Sequence, residues 1–168
     1  VEGVAKESPV QPFRPPENSS KTLSATYQRP YHMHGSIGPS AAIALYDAQV
    51  LKVWTHSQGI FPLRLALADV LGLAEDKIHL VHVPGAGCYG HNGADDVALD
   101  AALAARAVPG RPIMLKWERA DEHAWEPFGS AMQIELQARL DDTGRVIYWN
   151  HETFSDTHMS RPSAHREN

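Results

Sequence analysis

The chain has 168 residues, 43% hydrophobic and 21% charged, with 15 basic against 20 acidic side chains for a formal charge of −5. That is one ordinary domain, long enough to bury a core without disulfide or metal, and its composition excludes collagen-like, coiled-coil and wholly disordered chains. The acidic excess argues against nucleic acid as a partner, because phosphate recognition needs a clustered Lys/Arg surplus, and the apolar runs, such as residues 41–46, fall far short of the roughly 20 that span a bilayer.

Residues 1–21 hold Pro9, Pro12, Pro15 and Pro16 among polar residues and read as a linker or arm. In residues 22–28, Leu23, Ala25 and Tyr27 alternate with polar neighbours, which predicts a strand ended by Pro30. Residues 40–46 and 50–56 read as two strands joined at Asp47-Ala48-Gln49, a hairpin turn. Ile60, Leu63, Leu67, Ala68 and Leu71 fall at helical spacing, and Gly72 supplies the stop.

A strand over 78–83 then leads into a glycine-rich segment, residues 85–93. The clearest helical pattern is 92–108, with Val97, Ala101, Ala104 and Ala105 on one face and Pro109-Gly110 ending it. Residues 112–117 predict a strand and 119–125 a short helix. Residues 132–140 and 146–154 alternate around Asp141-Asp142-Thr143-Gly144, a hairpin. Strands, then β-α-β-α-β, then a hairpin define an α+β, or mixed α/β, domain over 22–162, followed by a polar tail at 163–168. The start Val1-Glu2-Gly3 and the polar end Arg166-Glu167-Asn168 lead us to expect a piece cut from, or processed out of, something longer.

Several motifs bear on chemistry. Gly85-Ala86-Gly87-Cys88-Tyr89-Gly90 matches G-x-G-x-x-G between a predicted strand and helix, the pattern of a dinucleotide fingerprint. Asp95 and Asp96 stand against that reading, because carboxylates in the first helical turn compete with a pyrophosphate. A structural turn, or a loop whose bare amides approach another ligand, are the alternatives. His56-Ser57-Gln58-Gly59 lies between a strand and a helix. Gln58 there offers a neutral donor and acceptor, although a helix-entry turn capped by Ser57 would read the same way.

His32 and His34 resemble a metal pair but lack a carboxylate and third histidine at helpful spacing, though His79 and His82 could converge; scattered surface histidines are the plainer account. Asp121-Glu122-His123 beside Arg119 reads as a solvated helix face. No G-x-S-x-G elbow anchors a hydrolase triad. Cys88, the lone cysteine, excludes an internal disulfide and a cysteine-cluster metal site.

Taken in order, Tyr31-His32-Met33-His34-Gly35-Ser36-Ile37-Gly38-Pro39-Ser40, Thr55-His56-Ser57-Gln58-Gly59, Gly85-Ala86-Gly87-Cys88-Tyr89-Gly90-His91-Asn92-Gly93-Ala94-Asp95-Asp96 and Pro109-Gly110-Arg111-Pro112 resemble the molybdenum-binding subunit of the xanthine dehydrogenase / aldehyde oxidase family, in the branch like isoquinoline 1-oxidoreductase. The resemblance covers roughly residues 22–162.

It implies a partial molybdenum-cofactor-binding domain and a hydroxylase of aldehydes or N-heterocycles that takes oxygen from water at a molybdenum–pterin centre. It places Gln58 beside the metal's oxo ligand, with Gly59 next to it as a cofactor-binding residue, and brings the loop of Gly87, Cys88, Tyr89 and Gly90 towards metal and substrate, with no side chain of this chain bound directly to the metal. Tyr89 takes the family's aromatic position in that loop, or Cys88 does if the alignment shifts by one residue. The family's catalytic base and most pterin contacts lie downstream of the matched region, so no catalytic set is complete here. We therefore expect the chain alone to be inactive and not to retain the cofactor.

The partners implied are the remainder of the molybdenum-binding subunit, a cytochrome in some members, and a small 2Fe–2S subunit, with self-association through uncovered surfaces. The branch also suggests the bacterial periplasm, with the cytoplasm as the alternative compartment. A non-catalytic folded fragment or assembly domain, and a nicotinamide-dinucleotide oxidoreductase domain, are the rival readings.

Overall fold

The fold is that of a computed structural model, which describes residues 20–157 and 161–162. The Pro-rich arm, apart from its last two residues, and the polar tail lie outside the described residues. Among the described residues, seven strands and three α-helices form two compact units.

The first unit joins the described residues 20–29 to Met132–Ser155. Strand β1 (Lys21–Arg29) pairs antiparallel with β6 (Met132–Leu140), which pairs antiparallel with β7 (Val146–Ser155). The predicted hairpin turn is held by Asp141, whose Oδ1 accepts from the Thr143 N–H at 2.9 Å and the Arg145 N–H at 3.0 Å. Alternation makes the sheet two-faced. Leu23, Ala25 and Tyr27 lie opposite Ala138, Leu136 and Ile134, while Ser24 and Thr26 lie opposite Gln137 and Glu135.

The second unit holds the remaining elements: β2 (Ala41–Asp47), β3 (Val50–Thr55), α1 (Ile60–Leu71), β4 (Ile78–His82), α2 (Ala94–Ala107), β5 (Ile113–Lys116) and α3 (Arg119–Trp125). The sheet order is β4-β3-β2-β5, with β3 and β4 parallel and β2 antiparallel to both β3 and β5. Helix α1 has the predicted span. Pro62 falls in its first turn, where amides lack intrahelical partners anyway, and Gly72 ends it at φ +62°.

Helix α2 begins two residues later than the pattern suggests. It buries Val97, Ala98, Ala101, Ala102 and Ala105 completely against the sheet, small side chains that let helix and strands approach closely. Both helices cover the same sheet face, on Ala42, Ala44, Leu51, Val53 and Ile78. Among the described residues no helix is long and apolar enough to cross a membrane.

The topology corrects the dinucleotide alternative. A fingerprint loop belongs to a βαβ unit within a doubly wound parallel sheet. Here the G-x-G-x-x-G loop leaves the edge strand β4, and the strand after its helix, β5, lies on the opposite edge beyond the antiparallel β2. A second correction concerns residues 121–123. Glu122 has no exposed surface, so its carboxylate is not part of a solvated face, although the neighbouring His123 is exposed. That carboxylate accepts from the Ser40 N–H at 2.7 Å, the Ser40 hydroxyl at 2.9 Å and the Gly93 N–H at 3.2 Å, tying α3 to the entry of β2 and the start of α2.

Candidate functional site

Strands β3, β4 and β5 all run one way, since β3 and β5 are each antiparallel to β2 and β4 is parallel to β3. Their C-terminal ends, and the entry to β2, therefore share one end of the sheet. Ligands of open α/β sheets gather at such an end, because loops and helix termini converge there. The segments collected there are 30–40, 56–59, 83–93 and 117–118.

The loop after β3 is pinned residue by residue. The buried Thr55 hydroxyl donates to the Ala94 carbonyl at 3.2 Å and accepts from the Ser57 N–H at 3.2 Å. Ser57 is buried. It donates to Asp95, accepts from the Gly59 N–H at 3.0 Å, and its carbonyl takes a bond from His82 Nδ1 at 3.0 Å. Ser57 thus ties the loop to α2 rather than capping α1, whose N-terminus has no side-chain cap. Between these fixed neighbours Gln58 alone turns outward and is exposed.

The loop after β4 is shaped by its glycines. Gly87 has φ +93° and Gly90 φ +144°, conformations that other residues rarely hold. Tyr89, itself at φ +56°, lays its ring on Gly87, where a Cβ would come within 2.7 Å of the ring carbon Cζ. His34 packs over Gly90 where any Cβ would collide with the imidazole, and its Nδ1 donates to the His91 carbonyl at 2.9 Å. Cys88 Sγ donates to the Gly90 carbonyl at 3.1 Å and is half-buried. Asn92, buried, closes the loop by donating to the Gly87 carbonyl at 3.0 Å, while its Oδ1 accepts from the first amide of α2, Ala94, at 3.2 Å.

The two loops meet through Arg161. Its Nη2 donates to Gln58 Oε1 at 3.1 Å and to the Gly90 carbonyl at 3.5 Å, while Nη1 reaches Asp95 Oδ2 at 3.4 Å. Asp95, 3% exposed, also accepts from Ser57 and from His91 Nε2 at 2.9 Å. Burial pushes its carboxyl up, but the bonds from His91 and Ser57 and the Arg161 charge outweigh that and hold it below the usual range. Burial pushes the other way on His56, lowering its imidazole despite Glu122 and Asp95 nearby, and its Nε2 accepts from the Ala41 N–H at 3.2 Å.

The structure thus brings Gln58 and Gly90 to one guanidinium and sets Gly59, 3.6 Å from Arg161 by its would-be Cβ, beside them. Cys88 and Tyr89 lie on the same loop, with Tyr89 exposed. His32 and His34 do not pair. His32 bridges the Gly129 backbone and His34 serves the Gly90 turn. Among the described residues no three His, Cys, Asp or Glu side chains converge on a point that could hold a metal ion.

Arg161 and Asn92 escape sequence reasoning. Arg161 sits far along the chain with no periodic context, and Asn92 reads only as the first residue of the predicted helix 92–108. Glu122 had a faint signal, since Glu118, Glu122 and Glu126 recur every four residues on one helical stripe.

The groups turned outward here are a carboxamide, a guanidinium and bare glycine backbone, while Asp95 is turned inward and already paired. That donor set suits a group rich in acceptor oxygens and presents it no free carboxylate.

The molybdopterin cofactor-binding domain family matches residues 15–165, and the chain belongs to that family. It is 42% identical over 136 residues to a nicotinate dehydrogenase subunit of Pseudomonas putida, covering 81% of this chain and 11% of that protein. It is 28% identical over 138 residues to the beta subunit of isoquinoline 1-oxidoreductase of Brevundimonas diminuta, covering 80% of this chain and 17% of the relative. The fold matches an aldehyde oxidoreductase from Desulfovibrio gigas with a TM-score of 0.67 and 18% identity, over 82% of this chain and 15% of that one. The chain therefore spans under a fifth of the length of each of these proteins.

Proposed function

We propose that this chain is the part of the molybdenum-binding subunit of a molybdenum hydroxylase that presents Gln58, Gly59 and the loop of residues 87–90 to the molybdenum–pterin cofactor. The observation that carries the reading is the joining of Gln58 and Gly90 through Arg161, at the strand ends where ligands gather, in a chain of the molybdopterin cofactor-binding family. When bound, the cofactor supplies oxidation of a substrate carbon with oxygen from water and passes the electrons to iron–sulfur clusters.

This chain's contribution is binding and orientation. Gln58 offers a neutral amide donor without adding charge. Gly87 and Gly90 leave room for the Tyr89 ring and the His34 imidazole to pack against the loop backbone, and Tyr89 forms a wall beside Gly87. The base and most pterin contacts come from other sequence. The electron acceptor is a 2Fe–2S subunit, with a cytochrome in some assemblies. The relative of 42% identity is named for nicotinate, an aromatic N-heterocycle, while relatives named for aldehydes reach 31%, so an N-heterocycle is the substrate class we favour.

The test is molybdenum and pterin analysis of the protein purified, with its co-purifying chains, from a host that makes the cofactor. We expect molybdenum near one per chain together with an iron–sulfur protein, and a several-fold loss of molybdenum in Gln58→Ala. Absence of molybdenum from the intact assembly would overturn the reading.

A further inference from the structure

We infer that Arg161 is a positioning residue that decides which end of the Gln58 carboxamide faces the bound group, and so makes this position selective for an acceptor oxygen. The inference rests on the cofactor-facing role proposed above for Gln58.

A primary amide has one acceptor end and one donor end, and in isolation either can face a ligand. A guanidinium has donors only. With Arg161 Nη2 at 3.1 Å from the Gln58 carboxamide, the carbonyl oxygen must be the end turned to it, because the reverse orientation would set N–H against N–H. The Nε2 amide is then the free end, and among the described residues nothing accepts from it. Gln58 is thereby committed as a donor, matched to an oxo or anionic oxygen and mismatched to an N–H or O–H.

Arg161 is itself held independently of any ligand. Its Nη1 pairs with Asp95, which Ser57 and His91 anchor in turn, and its Nη2 also reaches the Gly90 carbonyl at 3.5 Å. The orientation of Gln58 is therefore set by the first turn of α2, through Asp95 and Arg161, before a ligand arrives. Preorganisation of this kind lowers the cost of aligning donors at binding.

Two measurements test this. In the ¹⁵N-labelled chain without cofactor, the Gln58 side-chain amide pair is identified by its loss in Gln58→Ala. Arg161→Met should move that pair to the position of free glutamines, and Arg161→Lys, which keeps a donor, should restore most of the shift. An unmoved pair in Arg161→Met overturns the inference.

In the cofactor-loaded protein, Arg161→Met should lower molybdenum content several-fold, no more than Gln58→Ala does, because it acts through that side chain. Adding Gln58→Ala to Arg161→Met should cost nothing further, and Arg161→Lys should recover most of the content. Full occupancy in Arg161→Met, or strictly additive losses, overturns the inference even if both variants fold normally. A wild-type intact assembly that holds no molybdenum instead sinks the functional reading, while the amide shift still decides whether Arg161 orients Gln58.

Discussion

His56 shows how one side chain can make the site end of the sheet sensitive to pH. It follows β3, its ring lies where a Cβ on Gly85 would collide at 2.6 Å, and its Nε2 accepts from the Ala41 amide. An imidazole that accepts at Nε2 must be neutral there, and burial lowers its pKa below the usual 6.5, with Glu122 and Asp95 pulling upward and His82 adding to the depression. Above that value neither the folded nor the unfolded state binds a proton, so the imidazole adds no pH dependence. As pH falls below it the unfolded chain protonates first, and stability is lost until the folded pKa is passed. Urea unfolding of wild type and His56→Gln from pH 7.5 to 5 should therefore diverge only below about 6.5, with wild type losing up to about 1.4 kcal/mol per pH unit relative to the variant. Parallel curves would show that His56 takes up its proton equally in the folded and the unfolded chain.

At the scale of elements, patterning carried far and failed where a contact crosses the sequence. Ile60, Leu63, Leu67 and Leu71 with Gly72 mark both ends of α1, and alternation marks β1, β6 and β7 within a residue or two. These are local signals, set by period and punctuation. Glu122 was misread because a glutamate in a short polar helix looks the same whether water or the Ser40 and Gly93 amides satisfy it. Half of the candidate site was legible on the same terms. Gln58 and the glycines of the loop are visible as residue types at turns, whereas Arg161 acquires its role only by folding back on Asp95, 66 residues away. The β2–β3 hairpin carries a local conflict. Its two turn residues, Ala48 at φ +45° and Gln49 at φ +67°, hold the left-handed conformation that a two-residue hairpin demands but alanine disfavours. Ala48→Asn, which tolerates that conformation, should raise stability by about 0.5–1 kcal/mol in urea unfolding, leaving the Tyr46–Gln49 side-chain bond in place.

For the whole molecule, topology was the least legible feature. Nothing local announces that β1 pairs with β6, whose first paired residues are over a hundred positions apart, or that β2 separates β3 from β5. The same pairings leave one sheet face of the second unit without helices. In register there stand Val81, Trp54, Ile43 and Met114, the last three bordering a cavity of about 570 Å³ that Pro39, Pro84 and Pro112 help to wall. Met114 is 68% exposed and Ile43 38%, while Lys52 lies over the Trp54 ring at 4.7 Å. An apolar surface of this kind, uncovered among the described residues, is what self-association uses when no other partner is present. The isolated chain at neutral pH should therefore show a sedimentation coefficient that rises with concentration. Met114→Glu and Ile43→Glu should return it to the monomer value without lowering the unfolding midpoint, because both side chains point away from the core of Ala42, Ala44 and Val53. A chain that stays monomeric at high concentration, or an association indifferent to both glutamates, would place the contact elsewhere.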